Sequence, residues 1–239
     1  MSATGFQPVI LLLAETTHGK LLPYSNHYHN PMTRLRKMGK IWRTADADGG
    51  GWLLVACASY FTIEPNSLFQ RAAPLEIEIG AGRGDFIIGR AAAMPERNFL
   101  AVELSAPLVQ FLVVRAARAE LQNLRIARAD ARPLVNLFLP GGSVSAYHVY
   151  FPDPWPKARN AKHRLFTPWF VANLVRTMTV GASLYIATDV PEYAELIFSI
   201  ANAQGLRSTG DPVAGVAATG FARKFIAQGR TLYSRAFVK

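Results

Sequence analysis

The sequence predicts a doubly wound α/β domain built on a mostly parallel sheet, and three observations carry that prediction. From residue 75 onward, short apolar runs alternate with longer stretches of helical character. A glycine-rich turn, Gly80-Ala-Gly-Arg-Gly84, stands between the first such run and the first helix. Val144 to Tyr150 is nearly all apolar or aromatic, as a central strand buried on both faces requires. Alternation of this kind implies helices packed on both sides of the sheet.

The first strand is Leu75 to Ile79, and the helix after the glycines runs from Asp85 to about Met94, where Pro95 ends it. Phe99 to Val102 is the second strand. Ser105 is placed to cap a helix reaching about Leu121, with Pro107 tolerated in its first turn because the N–H there has no intrahelical partner. Leu124 to Ala127 is the third strand and Val144 to Tyr150 the fourth. A helix over about Pro168 to Thr179 leads to a fifth strand, Ser183 to Ala187. A further helix covers Pro191 to about Gln204, and Thr231 to Phe237 closes the chain as a strand. Residues 1–74 read as an irregular, partly basic N-terminal extension and residues 75–239 as the domain proper. Within the extension, Asp46, Asp48 and Gly49 to Gly51 lack the glutamate of a calcium loop and predict a turn between two short strands. His27, Tyr28 and His29 lack a third ligand at usable spacing, so no metal site is expected.

The 239 residues hold 26 Lys+Arg against 16 Asp+Glu, a formal net charge of +10. Half are hydrophobic, which excludes disorder for most of the chain. The longest apolar runs, Val9 to Ala14 and Trp52 to Ala58, fall far short of the roughly 18 residues of a membrane helix. No Lys or Arg precedes Lys20, so a secretory signal's charged start is missing, and the single cysteine, Cys57, excludes an intrachain disulfide. A cytoplasmic protein without a membrane partner is expected. The positive excess gathers in Arg34 to Arg43, Lys157 to Arg164 and Arg223 to Lys239, stretches suited to a polyanion.

The chemistry concentrates after the predicted strands. Glycines 80, 82 and 84 let backbone approach a ligand, and the helix that follows offers unpaired N–H groups. Their G-x-G-x-G spacing is neither a dinucleotide fingerprint nor a Walker loop. Glu78, two residues before the first glycine, is misplaced for a pyrophosphate and suits a cation. Glu103, just past the second strand, is placed for ribose hydroxyls, and Asp130 stands just past the third. Three carboxylates at successive strand ends make an acidic pocket in a basic protein, which favours a positively charged nucleoside cofactor such as S-adenosylmethionine. After the fourth strand comes Phe151-Pro-Asp-Pro-Trp-Pro-Lys157, then Arg159, Lys162 and Arg164. Its prolines fix a rigid loop carrying an acid, an aromatic and four cations, able to hold a base while gripping phosphates. His148 reads as a core histidine.

From about Leu75 to the C-terminus these motifs, with Ala187-Thr188-Asp189, resemble the tRNA (guanine-N7-)-methyltransferase family. The resemblance implies a Rossmann-like class I S-adenosylmethionine-dependent methyltransferase that modifies N7 of a guanosine in the tRNA variable loop, at position 46. It implies cofactor contacts at Glu78, Gly80, Gly82, Glu103, Asp130 and Asp153, with Asp153 also the catalytic residue. It implies substrate contacts at Lys157, Asp189 and Thr219, joined by Arg159 and Arg164. The family's Thr-x-x-Glu element aligns with Thr219 to Ala222, where the glutamate is lost. Two other readings fit parts of the sequence: a non-catalytic tRNA-binding protein on the same scaffold, and an NAD-dependent oxidoreductase, which the glycine spacing and Glu78 disfavour. Either a monomer or a homodimer is compatible with the sequence.

Overall fold

The computed structural model describes residues 64–69, 71–210, 216 and 219–239, and the backbone of four short strands between residues 10 and 56. The turn expected around Asp46, the histidines at 27 and 29, Cys57 and the basic stretch Arg34 to Arg43 lie outside the described residues.

The early strands are β1 (Ile10–Leu12), β2 (Glu15–Thr17), β3 (Lys20–Leu22) and β4 (Leu54–Ala56). After the short helix α1 (Pro65–Phe69) come β5 (Leu75–Ile79), α2 (Asp85–Ala93), β6 (Asn98–Glu103), α3 (Ala106–Arg118) and β7 (Leu124–Arg128). The helical turn α4 (Ala131–Pro133) runs on into a π-helical turn, Leu134–Phe138, before β8 (Val144–Tyr150). Beyond a 3-10 turn at Ala158–His163 lie α5 (Pro168–Thr177), β9 (Met178–Thr188), α6 (Pro191–Ala203), β10 (Arg207–Gly210), α7 (Gly220–Ala227) and β11 (Tyr233–Val238).

The main sheet has the order β10-β11-β9-β8-β5-β6-β7-β1-β4, and β2 pairs β3 in a separate hairpin. Strand pairs are parallel except at β11, which is antiparallel to both β9 and β10. Two strands of the N-terminal segment extend this sheet, with Ile10 opposite Ile126 and Leu54. Alternation along the central strands sends side chains into two cores. Ile77, Leu100 and Val149 pack with Phe170, Leu174 and Ile197 of α5 and α6. Phe99, Ala101 and Ile126 pack with Phe86, Ile87 and Leu112 of α2 and α3. The sheet is thus covered on both faces, as the buried runs of β5, β6 and β8 imply.

Several boundaries differ from the sequence expectation. Ser105 occupies the N-cap position of α3 without a side-chain cap bond; instead its N–H donates to Glu103 Oε1 at 2.7 Å. Helix α5 stops at Thr177, whose hydroxyl bonds back to the Asn173 and Leu174 carbonyls, and the next strand begins at Met178 rather than Ser183. Four exposed residues form β10, where no apolar signal marks a strand.

Gly84 ends the glycine turn with φ 78°. A Cβ there would collide with Leu112 Cδ1 and Ile88 Cδ1, the close packing that joins α2 to α3. Gly84→Ala should therefore destabilise the fold by about 2–4 kcal/mol, from left-handed strain plus overpacking. Urea unfolding measures this, and an unchanged midpoint would contradict the packing described.

The sheet order positions the functional residues. The chain leaves β5 through α2 to β6 on one side and later returns to β8 on the other. At such a switch point the loops after two neighbouring strands diverge and leave a crevice. Glu78 pairs with His148 and Ile79 with Val149, which sets Gly80 level with Tyr150. The glycine loop and the proline loop therefore emerge side by side.

Candidate active site

A cavity of about 240 Å³ opens at this switch point, between the glycine loop, the end of β8 and the first turn of α7; Glu78, Gly80, Gly82, Tyr150, Thr219 and Phe221 line it. Gly80 and Gly82 have φ of 76° and 56°, conformations that favour glycine. Gly80 and Ala81 N–H groups donate to Val102 O, and Gly82 N donates to Glu103 Oε2 at 2.9 Å. Glu103 therefore ties the loop to the end of β6, with both carboxylate oxygens already accepting one backbone hydrogen bond and each retaining capacity for another.

Glu78 is 3% exposed. Its carboxyl accepts from the Ile87 backbone N–H, while Oε2 has no hydrogen-bond partner among the described residues. Burial, reinforced by the nearby carboxylates of Asp85 and Glu103, pushes its pKa well above the usual range. A buried acceptor open to a cavity is satisfied by a donor, and best by a cation.

The proline loop follows β8 directly. Phe151 and Trp155 have φ of 54° and 41°, two left-handed non-glycine residues bracketing Pro152-Asp153-Pro154. Such strain persists only where its surroundings enforce it. Phe151 N donates to Ala187 O at 2.7 Å. Arg164 Nε donates to Pro154 O at 2.9 Å and Nη2 to Trp155 O at 3.3 Å. Its guanidinium also lies over the Tyr193 ring, 5.4 Å from the centroid. Arg164 thus braces the loop from within, whereas Asp153, Lys157 and Arg159 are exposed on it.

Of the residues singled out in the sequence, Glu78, Gly80, Gly82 and Thr219 come together in the cavity wall, and Glu103 joins them through Gly82. Asp153 stands two residues beyond the wall residue Phe151. Asp130, Lys157, Arg159, Arg164 and Asp189 lie outside the wall. Asp130 caps α4 by accepting from Arg132 N, and Asp189 is paired with Arg230 at 2.5 Å. Tyr150, Asp85, Phe221 and Lys224 also line the cavity without having been anticipated. Two of them, Phe221 and Lys224, follow from the late helix α7, whose signal is present in the sequence: a Thr219 cap, apolar residues at 221 and 225, and Gly229 beyond the end.

The altered Thr-x-x-Glu element is locally self-consistent. Thr219 Oγ1 accepts from Ala222 N at 3.0 Å, the forward half of a capping box. The return half, which a glutamate at 222 would supply to Thr219 N–H, is taken by the Val216 carbonyl at 3.0 Å. Ala222 itself is fully buried against the α2–α3 core.

Residues 72–233 match a protein family described as "Putative methyltransferase". The tRNA (guanine-N(7)-)-methyltransferase of Halorhodospira halophila is 44% identical over 133 residues, 56% of this chain and 58% of that protein. The enzyme of the same description from a Polaromonas species is 34% identical over 198 residues, 80% of this chain and 79% of that one. The chain thus spans less than two thirds of the length of several curated relatives it matches. Among solved structures, an antibiotic related methyltransferase superposes with a TM-score of 0.55 at 13% identity, over 74% of this chain and 95% of that one. The 16S rRNA methyltransferase KamB superposes with a TM-score of 0.53 at 15% identity, over 73% and 92%. At these identities the likeness is one of fold alone, shared with these methyltransferases.

Proposed function

We propose a function from one premise: the chain belongs to the methyltransferase family matched by residues 72–233, the family of the tRNA (guanine-N7-)-methyltransferases. On this reading it methylates N7 of a guanosine in the variable loop of tRNA with S-adenosylmethionine. The observation that carries the reading is one juxtaposition. A glycine-lined cavity holding a buried carboxyl oxygen with no partner among the described residues lies beside a strained, rigid loop bearing an exposed carboxylate.

The residues present fit the cofactor. Gly80 and Gly82 leave room for close backbone approach, Glu78 Oε2 awaits a donor, and Glu103 has acceptor capacity for ribose hydroxyls. When bound, S-adenosylmethionine supplies an electrophilic methyl group. Guanine N7 has a free in-plane lone pair, so no residue need remove a proton from it first. Methylation leaves the purine cationic, and Asp153 is placed on its loop to stabilise that charge as it develops. Arg164 holds the loop carbonyls and so holds Asp153 in place. Lys157 and Arg159 stand exposed beyond it to meet backbone phosphates, with Asp189 and Thr219 completing the substrate side.

Two measurements test this. S-adenosylmethionine at a hundredfold excess over its Kd should stabilise the protein by about 2.7 kcal/mol, whereas NAD should not. Stabilisation by NAD alone would overturn the cofactor assignment. Lys157→Ala should weaken tRNA binding and lower the slope of log K against log salt by about 0.7–0.9. An unaltered slope would remove Lys157 from the phosphate contacts.

A further inference from the structure

A buried row of polar side chains runs along one face of the sheet, from the opposite end of β5 and β8 up to the cavity, and no step above uses it. Glu76, on β5 and 1% exposed, accepts from Arg90 Nε at 2.5 Å and Nη2 at 3.1 Å, and faces Arg97 Nη1 at 3.2 Å. His148, on β8 and 2% exposed, places Nε2 2.9 Å from Glu76 Oε2 and Nδ1 3.0 Å from the Tyr150 hydroxyl. Its ring is clamped, stacked on Tyr185 with centroids 4.9 Å apart and against Phe86 at 4.7 Å. Tyr150 in turn lines the cavity beside Glu78.

The positions of the protons follow in order along this row. Burial alone would raise the Glu76 pKa, but hydrogen bonds from His148 and Arg90 hold it at about 2, so the carboxylate is ionised and only accepts. The proton between Glu76 and His148 therefore sits on Nε2. Burial lowers the His148 pKa against the pull of Glu76, and the imidazole stays neutral. Its Nδ1 is then bare and takes the hydroxyl proton of Tyr150. That proton is the only one Tyr150 has, so its oxygen can offer the cavity nothing but lone pairs. Beside it, Glu78 Oε2 has no partner among the described residues, and a cation entering the cavity favours the ionised carboxylate, which only accepts.

We infer that Tyr150 is an acceptor-only ligand contact, and that His148, fixed by Glu76, is the positioning residue that makes it so. Two acceptors facing one space select a group rich in donors and positive charge. On the cofactor reading above, on which this inference rests, that group is the protonated amine of the amino-acid tail of S-adenosylmethionine.

The test is calorimetric titration of the full chain with S-adenosylmethionine, S-adenosylhomocysteine and 5′-methylthioadenosine, the last of which keeps the nucleoside but lacks the tail. Tyr150→Phe should weaken the two amine-bearing ligands about tenfold or more, the size of a hydrogen bond to a charged group, and leave methylthioadenosine within about twofold. His148→Leu should do the same, and His148→Gln should restore affinity, because a neutral amide can donate to Glu76 and accept from Tyr150. Equal weakening of all three ligands by Tyr150→Phe would show a merely structural role and overturn the assignment. So would unchanged affinities, and a Gln variant as weak as the Leu variant would remove His148 from it. Wild-type protein that binds none of the three would overturn the cofactor reading together with this inference.

Discussion

Asp153→Asn should lower turnover at least about a hundredfold, while affinity for S-adenosylmethionine should fall far less. The expectation rests on the loop more than on the residue type. Asp153 sits between two prolines, the turn around it is held in left-handed conformations at Phe151 and Trp155, and Arg164 bonds two of its carbonyls. Such a loop keeps its shape when a carboxylate becomes an isosteric amide, so the variant removes charge and little else. A carboxylate held in advance beside a purine that becomes cationic needs no reorganisation as the charge appears. Removing one preorganised stabilising group of this kind typically costs about 10²–10³ in rate. Single-turnover kinetics with saturating tRNA separate this from binding, and unchanged turnover in Asp153→Asn would exclude the proposed role.

Glu78→Gln should have opposite effects on stability and on ligand binding. The folded protein holds this carboxyl buried with one oxygen unpartnered among the described residues, and burial raises its pKa above the value in the unfolded chain. Between those two values the folded state binds more protons than the unfolded one. Stability of the ligand-free protein therefore falls as pH rises, from about pH 4, where an unfolded glutamate ionises, through the folded value. Glutamine cannot ionise, so Glu78→Gln should match the parent near pH 4 and melt at a higher temperature at pH 8. The same change removes the charge proposed to meet the ligand cation and should weaken S-adenosylmethionine by about 2–5 kcal/mol, thirtyfold or more. A destabilised Glu78→Gln variant at pH 8 would contradict the burial argument. Undiminished affinity would contradict the ligand contact.

The parts of this molecule legible in sequence are those where a local rule and the tertiary structure agree. Strands β5 and β8 begin and end where their apolar runs do, and the glycines of the loop adopt the positive φ that glycine permits. Because β5 and β8 are neighbours, the loop motifs after them meet, and parallel α/β topology made that foreseeable. Side-chain geometry was less accessible. Arg164 reads as one more cation of a basic loop, yet its donors go to backbone carbonyls. Tyr150 reads as the last residue of a buried strand, and only the pairing of β8 with β5 brings it into a cavity wall that Glu78 shares. Helix α7 carries its capping residue in plain view, but its place over the glycine loop depends on long-range packing. One such contact is Asp85, whose Oδ2 leaves no room for a Cβ at Gly220.

The most direct test of the proposed activity is transfer of labelled methyl from S-adenosylmethionine to unmodified bulk tRNA by the purified chain, followed by nucleoside analysis. Label recovered as 7-methylguanosine is the predicted result, and it would also show that Ala222 is compatible with guanine recognition. Label in another nucleoside, or none despite bound S-adenosylmethionine, would contradict it.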